Sequence, residues 1–139
     1  MQEAFTIEQR VRWSDVDQAG IAYYGHLLTF VDVVEAELFR EVGLPYPEIL
    51  SRFDILLPRV RINVEFHAPA MLDDIVQVSA YVVGMRSKLF SLHVAMLRKR
   101  DLRLVAKGRV TIACVSRSTR KFALIPNELV QRLSAYAKK

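Results

Sequence analysis

One long apolar stripe of helical period, followed by four strand-like stretches, most constrains how this chain can fold. Leu27, Val31, Val34 and Leu38 recur at i, i+4, i+7 and i+11, and Leu28 and Phe30 widen the stripe. Asp32, Glu35, Glu37, Arg40 and Glu41 fill the remaining face. Gly43 suits the position just past the helix end, and Pro45 stops any continuation. The spacing predicts a helix over 24–42, broad enough in its apolar face to be covered on more than one side.

Period-2 alternation marks the strands. Ile7, Gln9, Val11 and Trp13 alternate with Thr6, Glu8, Arg10 and Arg12, predicting a strand over 6–13. After the helix, a loop over 45–58 holds one helical turn near Glu48–Arg52. Further strands are predicted over 59–67, 75–85, 89–98 and 103–116, joined by short turns, before a C-terminal helix over 127–137 with Pro126 at its first position. A lone long helix must bury its apolar face against the sheet formed by the rest. The expected class is α+β, a curved antiparallel sheet around one long helix.

The 139 residues fit a single domain over 1–139, large enough for a core without staples. An apolar content of 52% leaves a surplus for contacts between subunits. No stretch approaches the roughly 20 apolar residues of a membrane span. Met1–Phe5 lacks the basic and apolar regions of a secretion signal. The single cysteine, Cys114, excludes an intrachain disulfide, so the expected compartment is the reducing cytoplasm.

The net charge of +5 hides a strong asymmetry. Residues 1–85 hold 6 Lys and Arg against 13 Asp and Glu, whereas residues 86–139 hold 14 against 2. A basic half suits a polyanionic partner, either a nucleotide-bearing small molecule or a nucleic acid. Only Phe90, Phe122 and Tyr136 are aromatic in that half, which disfavours stacking on single strands and makes nucleic acid the weaker option.

Chemistry concentrates ahead of the long helix. Asp15 and Asp17, then Gly20, then Tyr23 and Tyr24, lead directly into it. A helix start offers unpaired N–H groups and a partial positive charge, which favours an ionised acid nearby. An acid facing such donors across a small gap suits attack on a carbonyl, with the donors stabilising the oxyanion. Asp17 equally suits an Asx turn. Asp15 is expected to bond loop backbone, and Gly20 to serve backbone shape. His26, His67 and His93 lie in no ligand spacing, and one cysteine with scattered histidines indicates no metal site. No serine sits in a Gly-x-Ser-x-Gly setting, and no Gly-x-Gly-x-x-Gly or phosphate-loop motif exists.

The stretch Arg12-Trp13-Ser14-Asp15-Val16-Asp17-Gln18-Ala19-Gly20-Ile21-Ala22-Tyr23-Tyr24 resembles the D-x-D-x-x-G-x-x-aromatic loop of the 4-hydroxybenzoyl-CoA thioesterase family, acyl-CoA hydrolases with the hot-dog fold. Phe66-His67-Ala68-Pro69-Ala70, followed by Asp73-Asp74-Ile75-Val76, is a second and more general match. The resemblance covers nearly the whole chain. It implies that Asp17 is the catalytic carboxylate, as nucleophile or general base, and that the backbone N–H of Tyr24 polarises the thioester carbonyl. Tyr23 would shape the pocket and Gly20 would belong to the substrate-binding loop. Arg86 and Lys88, in the hairpin between the second and third sheet strands after the helix, would bind CoA phosphates. Coenzyme A would be part of the substrate, with no separate cofactor and no metal. Homodimers or homotetramers with sites at subunit interfaces are expected. Relatives tied to the Tol system carry His where this chain has Tyr24, which favours an aryl-acyl substrate over a short or medium acyl chain. The rival expectations are a non-catalytic acyl-CoA or RNA binder on the same fold and, more remotely, a dehydratase, whose catalytic His would be wrongly placed at His26.

Overall fold

The computed structural model describes residues 4–138, so the secretion-signal reading at Met1–Glu3 lies outside the described residues. Five strands form one antiparallel sheet: β1 (Phe5–Arg10), β3 (Arg59–Phe66), β4 (Ile75–Val83), β5 (Leu89–Arg98) and β6 (Leu104–Ala113), in the order β1-β4-β5-β6-β3. Helix α1 (Tyr24–Glu41) lies across one face. Its Leu27, Phe30, Val31, Val34 and Leu38 are buried, as are Val76, Val78, Ala80 and Val82 of β4 and Phe90, Leu92, Val94 and Met96 of β5. Burial strictly alternates along β4, as a half-covered strand requires. Each fully buried aliphatic or aromatic side chain contributes about 1.5–3 kcal/mol. This is the α+β arrangement expected from the pattern, and the hot-dog fold that the resemblance implies.

Helix α1 ends in a two-bond cap. The Gly43 N–H donates to the Arg40 carbonyl (3.0 Å) and the Leu44 N–H to that of Phe39 (2.9 Å), with both Leu44 and Phe39 buried. A short helix α2 (Tyr46–Arg52) and a two-residue strand β2 (Ile55–Leu56) follow. Strand β2 pairs with β7 (Val115–Ser116) in a separate small ladder. The predicted strand over 103–116 is therefore two strands, interrupted at Cys114, whose N–H donates to the Lys88 carbonyl (2.8 Å). The C-terminal helix α3 covers Asn127–Leu133, with Pro126 capping it from outside, and passes into a 3₁₀ turn at Ser134–Tyr136. Among the described residues no helix is long and apolar enough to cross a membrane.

Two further expectations need correction. The first strand stops at Arg10 instead of Trp13. Val11 stays buried, but Asp15 captures the Arg12 N–H and winds Trp13–Asp15 into a 3₁₀ turn, leaving Trp13 81% exposed. Glu35, assigned by periodicity to the polar face of the helix, is buried. Arg59 covers it, with Nε 3.5 Å from Glu35 Oε2, and the Arg59 guanidinium also donates to the Tyr46 hydroxyl. The remaining oxygen, Glu35 Oε1, has no partner among the described residues. Burial raises the Glu35 carboxyl above its usual value, Arg59 offsetting part of the effect. It also pushes the Tyr46 phenol up to about 12.

The raised carboxyl has a sign consequence. Folding favours protonated Glu35, so its contribution is fully present below pH about 4.5 and is lost as pH rises through the folded-state value. Glu35→Gln should therefore gain stability relative to the parent between pH 5 and pH 8, read from urea unfolding at each pH. A difference that does not change with pH would contradict this.

Candidate active site

The loop between β1 and α1 is a small hairpin in its own right. Val16 bridges Ala22, the Asp17 N–H donates to the Ile21 carbonyl (2.9 Å), and the Gly20 N–H to the Asp17 carbonyl (3.0 Å). Gly20 has φ +74, a region that non-glycine side chains resist. The loop is tied to the segment after β3: the Ala22 N–H donates to the Ala70 carbonyl (2.7 Å) and the Leu72 N–H to that of Gly20 (2.9 Å). The two sequence motifs are thus neighbours in space.

Asp15 is buried and braces this loop. Its Oδ2 accepts the Arg12 N–H (2.8 Å) and lies 3.3 Å from Arg12 Nε, and its Oδ1 is 3.7 Å from His26 Nδ1. Burial alone would raise its carboxyl, but the Arg12 N–H and guanidinium, with a contribution from His26, hold it below the usual value. Its backbone carbonyl accepts the Tyr23 N–H at 2.9 Å. Asp15 therefore fixes both ends of the turn into α1.

Asp17 is exposed and faces a cleft of about 390 Å³. Its Oδ1 accepts the N–H groups of Ala19 (2.8 Å) and Ile21 (3.3 Å), so the Asx turn weighed from sequence is present. Its Oδ2 has no hydrogen-bond partner among the described residues. Tyr23, Tyr24, Leu27, Phe66, His67 and Pro69 are among the other residues around the cleft.

Tyr23 occupies the N-cap position of α1 and makes no side-chain cap. Its carbonyl accepts from His26 (2.9 Å) and Leu27 (3.2 Å), leaving the N–H groups of Tyr24 and Gly25 without partners among the described residues. The Tyr23 and Tyr24 rings meet at 4.5 Å between centroids, and Tyr24 meets Phe66 edge-on at 6.1 Å. The Tyr23 ring packs so closely over Gly25 that a Cβ there would lie 2.8 Å from it. The neighbouring Tyr24 phenol raises the Tyr23 phenol above its ordinary value.

The structure brings together Asp17, Tyr23 and Tyr24. Gly20 shapes the loop without lining the cleft. Arg86 and Lys88 lie in the β4–β5 turn, and neither lines the cleft of its own protomer. None of residues 45–58 lines it either; the apolar wall comes from Phe66–Ala70. Gly25 was not singled out from sequence, and His67 was weighed only as a metal ligand and set aside. A glycine in the first turn of a helix, where it costs stability, was the available signal for Gly25. For His67 it was only adjacency to the Pro-Ala turn. Among the described residues no three His, Cys, Asp or Glu side chains form a metal-binding group.

Comparison with known proteins bears on this loop and cleft. Residues 11–133 match the family model described as the thioesterase-like superfamily. The chain is 25% identical over 122 residues to a 1,4-dihydroxy-2-naphthoyl-CoA hydrolase from Synechocystis sp., covering 88% of each chain. It is 24% identical over 139 residues to a 4-hydroxybenzoyl-CoA thioesterase from Pseudomonas sp., covering 99% of this chain and 95% of that one. Among solved structures, a Staphylococcus aureus protein in complex with CoA superposes with a TM-score of 0.89 at 17% identity, over 98% of this chain and 85% of that one.

Asp15→Ala should lower stability at pH 7 by about 1–3 kcal/mol, since the Arg12 N–H loses its acceptor. The loss should shrink as pH falls through the depressed Asp15 value, because the parent then loses the same contribution. Chemical denaturation of both proteins at pH 7 and pH 3 checks both statements.

Proposed function

Because the chain belongs to the thioesterase-like superfamily, we propose that it is an acyl-CoA thioesterase whose site is the cleft between Asp17 and the tip of α1. The observation that carries this reading is the pairing of a free carboxylate oxygen, Asp17 Oδ2, with the unpartnered N–H of Tyr24 around one cleft. The thioester carbonyl oxygen accepts from the Tyr24 N–H, with the Gly25 N–H beside it. Donors fixed in advance where negative charge develops lower the barrier by about 3 kcal/mol each. Asp17 then acts by one of two routes. As nucleophile it attacks the carbonyl carbon, CoA leaves as thiolate, and water hydrolyses the acyl–aspartyl anhydride. As general base it takes a proton from water, the hydroxide attacks, and the C–S bond breaks. Either route yields free acid and CoA, and neither needs a cofactor beyond the CoA in the substrate.

The aromatic and proline walls, Tyr23, Tyr24, Phe66 and Pro69, favour a flat aryl-acyl group over a short or medium acyl chain. The names of the Synechocystis and Pseudomonas relatives agree with that preference. Arg86 and Lys88 would then serve a CoA phosphate across a subunit boundary, since they stand away from the cleft of their own chain.

A homodimer is the expected assembly. Strand β3 is a sheet edge, and its Val60 (56%), Ile62 (49%) and Phe66 (48%) are exposed. A long apolar edge with unpaired backbone groups is the natural place for a second copy to add its own β3. Phe66 belongs both to that edge and to the cleft, which would put the site at the interface.

Purified protein should release free thiol from aryl-acyl-CoA, and Asp17→Asn should cut kcat by about 10²–10⁴-fold with the fold kept. Unchanged turnover in that variant refutes the role of Asp17. Absence of thiol release from a panel of aryl- and alkyl-CoA thioesters would leave a non-catalytic acyl-CoA binder. Ile62→Lys should convert the dimer to monomer in sedimentation analysis. A variant that still sediments as a dimer places the interface elsewhere.

A further inference from the structure

A concavity of about 950 Å³ lies on the sheet face turned away from α1. Ladder register explains its composition. Lys107, Arg109 and Thr111 of β6 face outward, because the residues between them belong to the buried side. Across the β3 ladder they oppose Glu65, Asn63 and Arg61, and across the β5 ladder Ala95, His93 and Ser91. Arg86 joins them from the β4–β5 turn.

Four cations, Arg61, Arg86, Lys107 and Arg109, therefore line one basin. None of them makes an ion pair within 4.0 Å among the described residues. Several arginines elsewhere are paired: Arg12 with Asp15, Arg52 with Glu128, Arg98 with Asp101, Arg100 with Asp74. Lys107 and Arg109 share one face of one strand, about 7 Å apart, a spacing at which like charges repel. The only carboxylate at the basin, Glu65, lies 3.9 Å from His67 Nε2.

The basin is also shaped. Gly84, at φ +59, leaves a seat for the Arg109 guanidinium, and a Cβ there would lie 2.7 Å from its Nη2. Within the lining, Ser91 is 2% exposed and its hydroxyl is 3.0 Å from that of Thr111. His93 stacks on Tyr81 at 4.8 Å, and its Nδ1 is buried without a partner among the described residues. Burial, then the charges of Lys138, Lys107 and Arg109, hold this imidazole below its usual value. Converging unpaired guanidinium groups, with hydroxyls and a neutral imidazole among them, match the charge and the acceptor oxygens of a diphosphate.

We propose that this outer-face basin, with Arg61, Lys107 and Arg109 as its anchors, binds a ligand of the nucleoside diphosphate class. Two sources carry that chemistry: the nucleotide end of a CoA thioester, or a free nucleotide acting apart from turnover. Only the first source rests on the thioesterase reading.

Calorimetric titration of the full chain with ADP tests the site without reference to activity. The parent should bind, and Arg109→Ala and Arg61→Ala should each weaken binding about tenfold or more. Arg120→Ala, which removes the same charge from an exposed turn outside the basin, should leave it unchanged. Gly84→Ala keeps every charge but displaces Arg109, and should weaken binding in a protein whose circular dichroism is unchanged. No ADP binding by the parent, or equal weakening by Arg120→Ala, overturns the proposal. The source follows from kinetics on Arg109→Ala. A KM raised about tenfold for an acyl-CoA but not for the acyl-pantetheine thioester assigns the basin to the substrate's nucleotide. Unchanged KM for both, with ADP binding lost, assigns it to a free nucleotide. If no thioester is turned over, the titration still decides whether the site exists.

Discussion

The buried carboxylate of Asp15, bonded to the N–H of Arg12, fixes the point where β1 stops and the approach to α1 begins. Its backbone carbonyl takes the Tyr23 N–H, so one residue holds both sides of the loop. The helix then starts without a side-chain cap, and two of its N–H groups stay free. An uncapped start costs a soluble helix stability. Here the loop leaves Asp17 facing the same cleft as those donors.

The two faces of the sheet divide their work. The inner face is apolar and packs on α1. The outer face gathers four cations that form no ion pair among the described residues. The edge strand β3 takes part in both, and its own inward residues remain half covered because nothing in a single chain lies beyond it. A chain with 52% apolar residues has more such surface than one core can bury, and Val60, Ile62 and Phe66 of this edge are part of the excess.

Much of this was legible before any coordinates. The i, i+4, i+7, i+11 stripe placed α1 to within a residue, and strict alternation placed β3, β4 and β5 closely. The D-x-D-x-x-G loop pointed to Asp17 and to the helix tip. Errors came where a local pattern met a distant contact. Trp13 fits the strand alternation, yet the Asp15 bond turns it to solvent. Glu35 fits the polar face of α1, yet Arg59 and Tyr46 close over it from later in the chain. Nothing local groups Lys107, Arg109 and Arg61, since residues 61 and 109 become neighbours only through the β3–β6 ladder.

Period and turn chemistry act over a few residues, so order and type of elements, the helix stop at Gly43 and the acid-bearing loop follow from the chain alone. Which strands lie side by side does not. Strand order β1-β4-β5-β6-β3 decides that Phe66 and Pro69 wall the cleft beside Asp17, that β3 is left as an edge, and that four cations share one basin. Those outcomes depend on contacts between residues tens of positions apart. Such contacts form only when the whole apolar face of α1 finds its sheet, and no local pattern encodes them.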